Sequence, residues 1–150
     1  MANRNKIAMI REFASMVVGE KVVISKERNC DNNWYMNLNS ACPRLCIPKN
    51  IDSFNDDEDI IFRNDFIARC PVANMISDIS LTILHECGHW MTKEYFDAEE
   101  YVQECEEVES MEEYLLIPCE FQATAWAIAW LNIEENFGKV IQFEKLYFNN

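Results

Sequence analysis

Apolar side chains recur at helical spacing in three stretches of the chain, and these stretches predict its main helices. Residues 5–18 have apolar positions three and four apart, which is typical of an opening helix that packs on one face. A second pattern of this kind covers residues 77–96, and a third covers residues 118–135. Gly138 is predicted to end or bend the third helix, and a short apolar tail follows it.

Shorter apolar or alternating stretches lie between the first two helices and predict strands. Residues 22–24 and 34–38 predict two strands, and residues 59–68 predict a third. The elements come in the order helix, strands, helices, with no internal repeat and no flexible linker. This order predicts one α+β domain over residues 1–150, with a short three-stranded sheet.

Composition and charge narrow the class of protein. The 150 residues include 26 acidic and 13 basic side chains, which gives a net charge of −13. A nucleic-acid-binding protein usually has a positive surface, so this class is disfavoured. The longest apolar run, residues 123–131, is far shorter than the ~20 residues that a membrane span needs. Seven cysteines, an odd number, come without a secretion signal, and we therefore expect reduced thiols in a cytoplasmic protein.

Cysteine spacing offers little support for a metal site. Cys42 and Cys46 form a close pair, but there is no second close pair to complete a four-thiolate zinc site. We expect them to be loop or core residues.

Both histidines of the chain lie in one pentapeptide, His85-Glu86-Cys87-Gly88-His89, inside the second predicted helix. This is the H-E-x-x-H pattern, in which the two imidazoles lie about 40° apart around the helix and can bind one metal ion. Glu86 lies beside them, where it can contact a water on that ion. The opposite face carries the residues expected to anchor the helix in the core: Ile76, Ile79, Ile83, Cys87 and Trp90. A surface histidine pair, or core histidines beside an ion pair, would be the interpretation without a metal.

A catalytic zinc site has three protein ligands and one open position, so the motif needs one more carboxylate or thiolate. Glu120 is the candidate, because it lies at the start of the helix that begins at Pro118, 31 residues after His89, and an apolar face that can pack on the second helix follows it. Three rivals lie in a charged segment that is predicted to be solvated: Glu109, Glu112 and Glu113. Cys87 and Cys119 are predicted to point to other helix faces.

Residues 120–127, EFQATAWA, resemble the E-x-E-A-N-x-F-A segment of the ImmA/IrrE family of bacterial and phage zinc metallopeptidases. The resemblance spans about residues 55–132 and implies a small zincin-like, gluzincin-like domain in which Glu120 is the third ligand of one Zn²⁺. Gln122 stands where the family usually has an acid, and Thr124 where it has Asn or Asp. Thr124 lies one turn after Glu120, where its hydroxyl can accept a hydrogen bond from a metal-binding imidazole, although more weakly than a carboxylate.

We therefore expect a metalloprotease, an endopeptidase of the HExxH type. His85, His89 and Glu120 would bind zinc, and Glu86 would be the general base and then the general acid. The predicted strand at residues 59–67 would pair with an extended substrate. With no further histidine in the chain, a tyrosine would stabilise the oxyanion, and the candidates are Tyr95, Tyr101 and Tyr114.

The resemblance also implies a substrate, a helix-turn-helix repressor of phage or mobile-element genes, with no direct contact to nucleic acid or membrane. Acids crowd residues 94–113, and no lysine or arginine lies between Lys93 and Lys139. This segment is either a solvated face or a negative field that recruits a basic repressor.

The sequence is also compatible with two other functions. One is a closed structural zinc site in a domain that binds a partner, which would normally need four protein ligands. The other is a catalytically weak or inactive relative that binds metal without cleaving, and the departures at Gln122 and Thr124 allow it.

Overall fold

The computed structural model describes residues 2–26 and 33–149, which contain seven α-helices and one three-stranded sheet. The helices are α1 (Ala2–Val18), α2 (Asp57–Arg69), α3 (Asp78–Met91), α4 (Ala98–Glu107), α5 (Met111–Tyr114), α6 (Pro118–Leu131) and α7 (Glu134–Phe148). The strands are β1 (Val23–Lys26), β2 (Tyr35–Asn37) and β3 (Arg44–Ile47), and 3-10 turns at Pro71–Met75 and Lys93–Tyr95 flank α3. The predicted α+β class is confirmed. Of the seven cysteines, Cys30 lies outside the described residues.

The prediction of a strand over residues 59–68 is wrong, because these residues belong to helix α2. The helix begins with a capping box, in which the side chain of Asp56 accepts from the backbone N–H of Asp59 and the side chain of Asp59 accepts from that of Asp56. Acids in the first turn and Arg69 in the last suit the helix dipole. Phe66 is fully buried and Phe62 packs against the core one turn earlier. The apolar doublets of this segment suggested a strand, whereas its polar residues mark a helix.

The third strand is β3, and it lies in the centre of the sheet. It pairs parallel with β1 and antiparallel with β2, so β2 is an edge strand of the sheet in the described residues. Leu45, Cys46 and Ile47 of β3 have no exposed surface. Pro43 and Pro48 bound this strand, and its apolar run is too short to be distinguished from a loop in the sequence.

The predicted end of the chain is also wrong. Helix α6 ends at Leu131, and Gly138 lies within a separate helix, α7, that replaces the predicted tail. Tyr147 and Phe143 of α7 are buried, and the ring of Phe143 stacks on Phe13 of α1 with a centroid distance of 4.3 Å. The second predicted helix is shorter than expected, because α3 ends at Met91.

Helix α3 runs through the core, between α1 and α6. All five residues predicted to anchor it are buried: Ile76, Ile79, Ile83, Cys87 and Trp90. Among the described helices, none has the length and apolar character that crossing a membrane requires.

The N-terminus of α3 is held by a carboxylate from α7. Glu144 Oε2 accepts hydrogen bonds from Ser77 N at 2.7 Å, from Ser77 Oγ at 2.8 Å and from Ser80 Oγ at 2.5 Å. Ser77 is the N-cap of α3, so the negative charge lies at the positive end of the helix dipole. This contact joins the end of the chain to the helix that carries the H-E-x-x-H motif.

We expect Glu144→Gln to lower the free energy of unfolding by about 1 kcal/mol, because the amide keeps an acceptor but loses the charge that favours the helix N-terminus. Urea unfolding measures the change. Glu12→Gln is the matched control, because Glu12 is exposed in the middle of α1 and lies away from a helix N-terminus. Equal stability losses in the two variants would contradict the expectation.

Candidate metal centre

The three predicted metal ligands lie together between α3 and α6. His85 Nε2 is 2.9 Å and His89 Nε2 is 3.1 Å from the same oxygen, Glu120 Oε1. The potential ligand atoms of the three residues all lie within 4.8 Å of one another. His85 and Glu120 are about 95% buried. Within the described residues, this is the one group of His, Cys, Asp and Glu that could hold a metal ion.

The two helices can approach this closely because Gly88 has no side chain. A Cβ added at Gly88 would lie 2.1 Å from the backbone oxygen of Ala123 in α6. Gly88 and Ala123 therefore set the distance between the helix that carries the histidines and the helix that carries Glu120. A glycine inside a helix is a signal of close packing, and Gly88 is a functional position that the H-E-x-x-H pattern alone does not indicate.

The hydrogen bonds around His85 test whether the cluster suits a cation. Its Nδ1 lies 2.8 Å from Thr124 Oγ1, the residue predicted to contact a ligand imidazole. When a neutral His85 donates from Nδ1 to Thr124, its Nε2 carries a lone pair that faces the carboxylate oxygen of Glu120. Two acceptors in contact need a proton or a metal ion between them. Two imidazole nitrogens and a carboxylate oxygen are a ligand set that Zn²⁺ takes, so these residues fit zinc.

The charges of the cluster are interdependent. Burial alone would raise the pKa of Glu120, but hydrogen bonds from His85 and His89 and their positive charge hold that pKa far below its usual range. Burial alone would lower the pKa of His89, but the hydrogen bond to Glu120 and the carboxylates of Glu86 and Glu120 raise it. The buried carboxylate is therefore ionised and attracts positive charge to this point.

Glu86 is buried beside the cluster and is oriented by the sheet. Its Oε1 accepts a hydrogen bond of 3.0 Å from the backbone N–H of Met36 in β2. Burial raises the pKa of Glu86, while the charges of His89 and His85 lower it. The bond to Met36 holds one carboxylate oxygen in place and makes the position of Glu86 depend on β2. No pattern in the sequence indicates this contact, because the two residues are 50 positions apart.

The three candidate tyrosines have different places in the structure. Tyr101 Oη donates to Glu120 Oε2 at 2.9 Å, and Tyr114 Oη lies 2.8 Å from Tyr101 Oη. Tyr95 is 71% exposed. The sequence gives no reason to prefer one of the three tyrosines. In the structure, Tyr101 contacts Glu120 directly and Tyr114 contacts Tyr101.

A cavity of about 670 Å³ opens in front of the cluster. Aromatic rings line one side, where Trp34 and Phe54 stack at a centroid distance of 6.3 Å. The lining includes the carboxylates of Glu58, Asp59 and Glu109, and none of its described residues is a lysine or an arginine. Burial and the neighbouring charge of Asp56 raise the pKa of Asp59 to about 6. The cavity is thus both aromatic and acidic.

The other acidic and cysteine side chains considered as a third ligand do not belong to the cluster. Glu112 and Glu113 are exposed, and Glu109 contacts the cavity rather than the candidate ligands. Cys87 is buried in the core, as predicted. The Sγ of Cys119 lies 3.8 Å from Glu120 Oε2, but Cys119 does not belong to the potential metal group in the described residues. Burial and the charge of Glu120 raise the pKa of the Cys119 thiol, so the thiol is protonated beside this carboxylate.

The remaining predicted positions lie away from the ligands. Cys46 is buried in β3 and Cys42 is half-buried, and neither belongs to a potential metal group in the described part of the chain. Gln122 is exposed on α6.

Comparison with known proteins identifies no relative: no protein-family model, no curated protein and no solved structure matches the chain.

Proposed function

We propose that this protein is a zinc-dependent metallopeptidase of the ImmA/IrrE type, which hydrolyses a peptide bond in a protein substrate. The observation that carries the proposal is the convergence of His85, His89 and Glu120 on one point, with Glu86 buried beside them. A cavity opens on His85, Glu86 and Glu120 and would give a substrate access to them. Three protein ligands are the number found in catalytic zinc sites, whereas structural sites normally have four.

Each residue has a task in this proposal. A zinc ion in such a set polarises a carbonyl and lowers the pKa of a bound water. Thr124 contacts His85 Nδ1 and orients the ring, and when Nδ1 donates to this hydroxyl, Nε2 is free for the metal. Glu86 accepts the proton of the attacking water and passes it to the leaving nitrogen.

The strand that pairs with the substrate is reassigned in this proposal, since residues 59–67 are helical. The N–H of Met36 points to Glu86, so the outer edge of β2 faces α3 and the cavity. In an antiparallel pair, the C=O of a residue points to the same side as its N–H. The N–H of Met36 is used by Glu86, so an extended peptide would pair with the neighbouring part of this edge and pass beside Glu86.

The acidic lining of the cavity supports a basic substrate. Glu58, Asp59 and Glu109 place negative charge on its walls, and the acids of α4 extend this field. A basic, cytoplasmic helix-turn-helix repressor would suit such a cavity, and the resemblance to ImmA/IrrE proteins favours it.

One observation favours a second function, a metal-binding protein-interaction domain with weak or no catalysis. The partner of His85 Nδ1 is the neutral hydroxyl of Thr124, which increases the basicity of an imidazole less than a carboxylate does.

Zinc stoichiometry and proteolysis together test the proposal. We expect the dialysed wild-type protein to hold about one zinc ion per chain and to hydrolyse fluorescein-labelled casein in a reaction that a chelator stops and zinc restores. His89→Ala should lose stoichiometric zinc, and Glu113→Ala, at an exposed acid, should keep it.

The outcomes separate the two functions. Absence of bound zinc in the wild type would overturn both. Stoichiometric zinc without hydrolysis of casein or of a basic protein such as a histone would favour the interaction domain.

A further inference from the structure

Helix α4 contacts the candidate metal centre through a single aromatic residue. None of the residues of α4 is buried, yet Tyr101 reaches from it to Glu120 Oε2 with a hydrogen bond of 2.9 Å. The ring of Phe96 packs against Tyr101 at a centroid distance of 5.4 Å. Tyr114 of α5 completes a chain in which its hydroxyl contacts that of Tyr101 at 2.8 Å.

The direction of each hydrogen bond follows from counting protons. The hydroxyl of Tyr101 donates to Glu120 Oε2 at 2.9 Å. A tyrosine has one hydroxyl proton, and that of Tyr101 is therefore used. Tyr114 must then donate its proton to the oxygen of Tyr101. The proton of Tyr114 can be redirected without breaking the bond between Tyr101 and Glu120.

The two tyrosines also differ in their access to a substrate. Tyr114 lines the cavity together with His85, Glu86 and Glu120, whereas Tyr101 is not part of that lining. The hydroxyl of Tyr114 lies within two hydrogen bonds of Glu120 Oε2. A reacting carbonyl in the cavity would therefore be close to Tyr114, with Tyr101 behind it.

We propose that the tyrosines have separate roles, in which Tyr101 is a positioning residue that holds Glu120 and Tyr114 is a catalytic residue that donates to the oxyanion of the substrate carbonyl. Tyr114 rotates its O–H from Tyr101 into the cavity, and no proton is transferred. The bond that is lost joins two neutral groups. The bond that forms is charge-assisted and roughly twice as strong, so the exchange is favourable when the oxyanion develops. This inference rests on the proposed function.

Three single-atom deletions test the proposal: Tyr101→Phe, Tyr114→Phe and the control Tyr95→Phe at the exposed tyrosine. Zinc affinity is measured by competition with a chromophoric chelator. Acetohydroxamate, an anion that binds zinc through its oxygens, then probes the oxyanion position by titration of the zinc-loaded proteins. Both titrations are made well below the melting temperature of each variant, so that unfolding does not imitate a loss of affinity.

We expect Tyr101→Phe to weaken zinc binding about 10-fold or more, because it removes the group that orients a ligand. Tyr114→Phe should leave zinc affinity within about 2-fold of the wild type and weaken acetohydroxamate binding about 10-fold or more. Tyr95→Phe should change neither.

Several results would overturn the division of roles. These are unchanged zinc affinity in Tyr101→Phe, unchanged acetohydroxamate binding in Tyr114→Phe, and equal losses of zinc affinity in both variants. Absence of zinc binding in the wild type would instead show that the proposed function itself fails.

Discussion

Replacing Glu86 with glutamine should leave zinc bound and lower the rate of peptide hydrolysis by about 10²- to 10⁴-fold, the range that general acid–base catalysis contributes. Glutamine has the same shape, and its side-chain oxygen can still accept the hydrogen bond from the N–H of Met36. An amide cannot take a proton from water. The variant therefore separates the proposed task of Glu86 from that of the candidate ligands His85, His89 and Glu120.

The measurement is the rate of casein hydrolysis at equal zinc occupancy, with the zinc content of each sample determined. Glu112→Gln is the matched control, since Glu112 is an exposed acid of α5 and should retain the wild-type rate. Full activity in Glu86→Gln would show that another group is the base. Loss of zinc together with activity would show that Glu86 supports the ligands and not the proton transfer.

Replacing Gly88 with alanine should separate α3 from α6 and disrupt the metal centre. The added Cβ would lie 2.1 Å from Ala123 O and 2.8 Å from Ala123 C, both backbone atoms that no side-chain rotation can move away. Overpacking of this kind costs about 1–3 kcal/mol or more, which exceeds the gain of about 1 kcal/mol in helix propensity from glycine to alanine. A shift of α6 would carry Glu120 away from His85 and His89, so zinc affinity should fall as well.

Gly138 offers an unusual matched control for this substitution. It also lies inside a helix, but nothing stands within 4 Å of an added Cβ. Gly138→Ala should therefore raise the free energy of unfolding by about 0.5–1 kcal/mol and leave zinc binding unchanged. Urea unfolding and zinc titration measure both quantities. Similar behaviour of Gly88→Ala and Gly138→Ala would contradict the close approach of the two helices.

Local patterns account for the parts of the fold that the sequence predicts. Helices α1, α3 and α6 have apolar positions at helical spacing over three or more turns, which is the strongest signal that a single sequence carries. At α2 the apolar doublets Ile60-Ile61 and Phe66-Ile67 are also compatible with a strand, whereas the capping box of Asp56 and Asp59 is specific to a helix. The strand β3 does not stand out in the sequence, because three apolar residues between prolines do not distinguish a buried strand from a loop.

The sequence by itself determined the chemistry that is local to one helix. The spacing of His85 and His89, the adjacent Glu86 and the core-facing residues of α3 all follow from 3.6 residues per turn. The assignment of Glu120 as a ligand depends on the need for a third ligand and on the family resemblance. The sequence does not give its distance from the histidines. The structure brings it to 2.9 Å from His85 Nε2.

Only the tertiary structure decided which distant residues surround that helix. The N–H of Met36 on Glu86, the hydroxyl of Tyr101 on Glu120 and the absence of a Cβ at Gly88 each depend on how separate elements pack. Side-chain periodicity reports which face of a helix is buried, but not what it is buried against. The close contact of α3 with α6 and the edge of β2 together convert a common five-residue pattern into a buried, acidic site with room for a substrate.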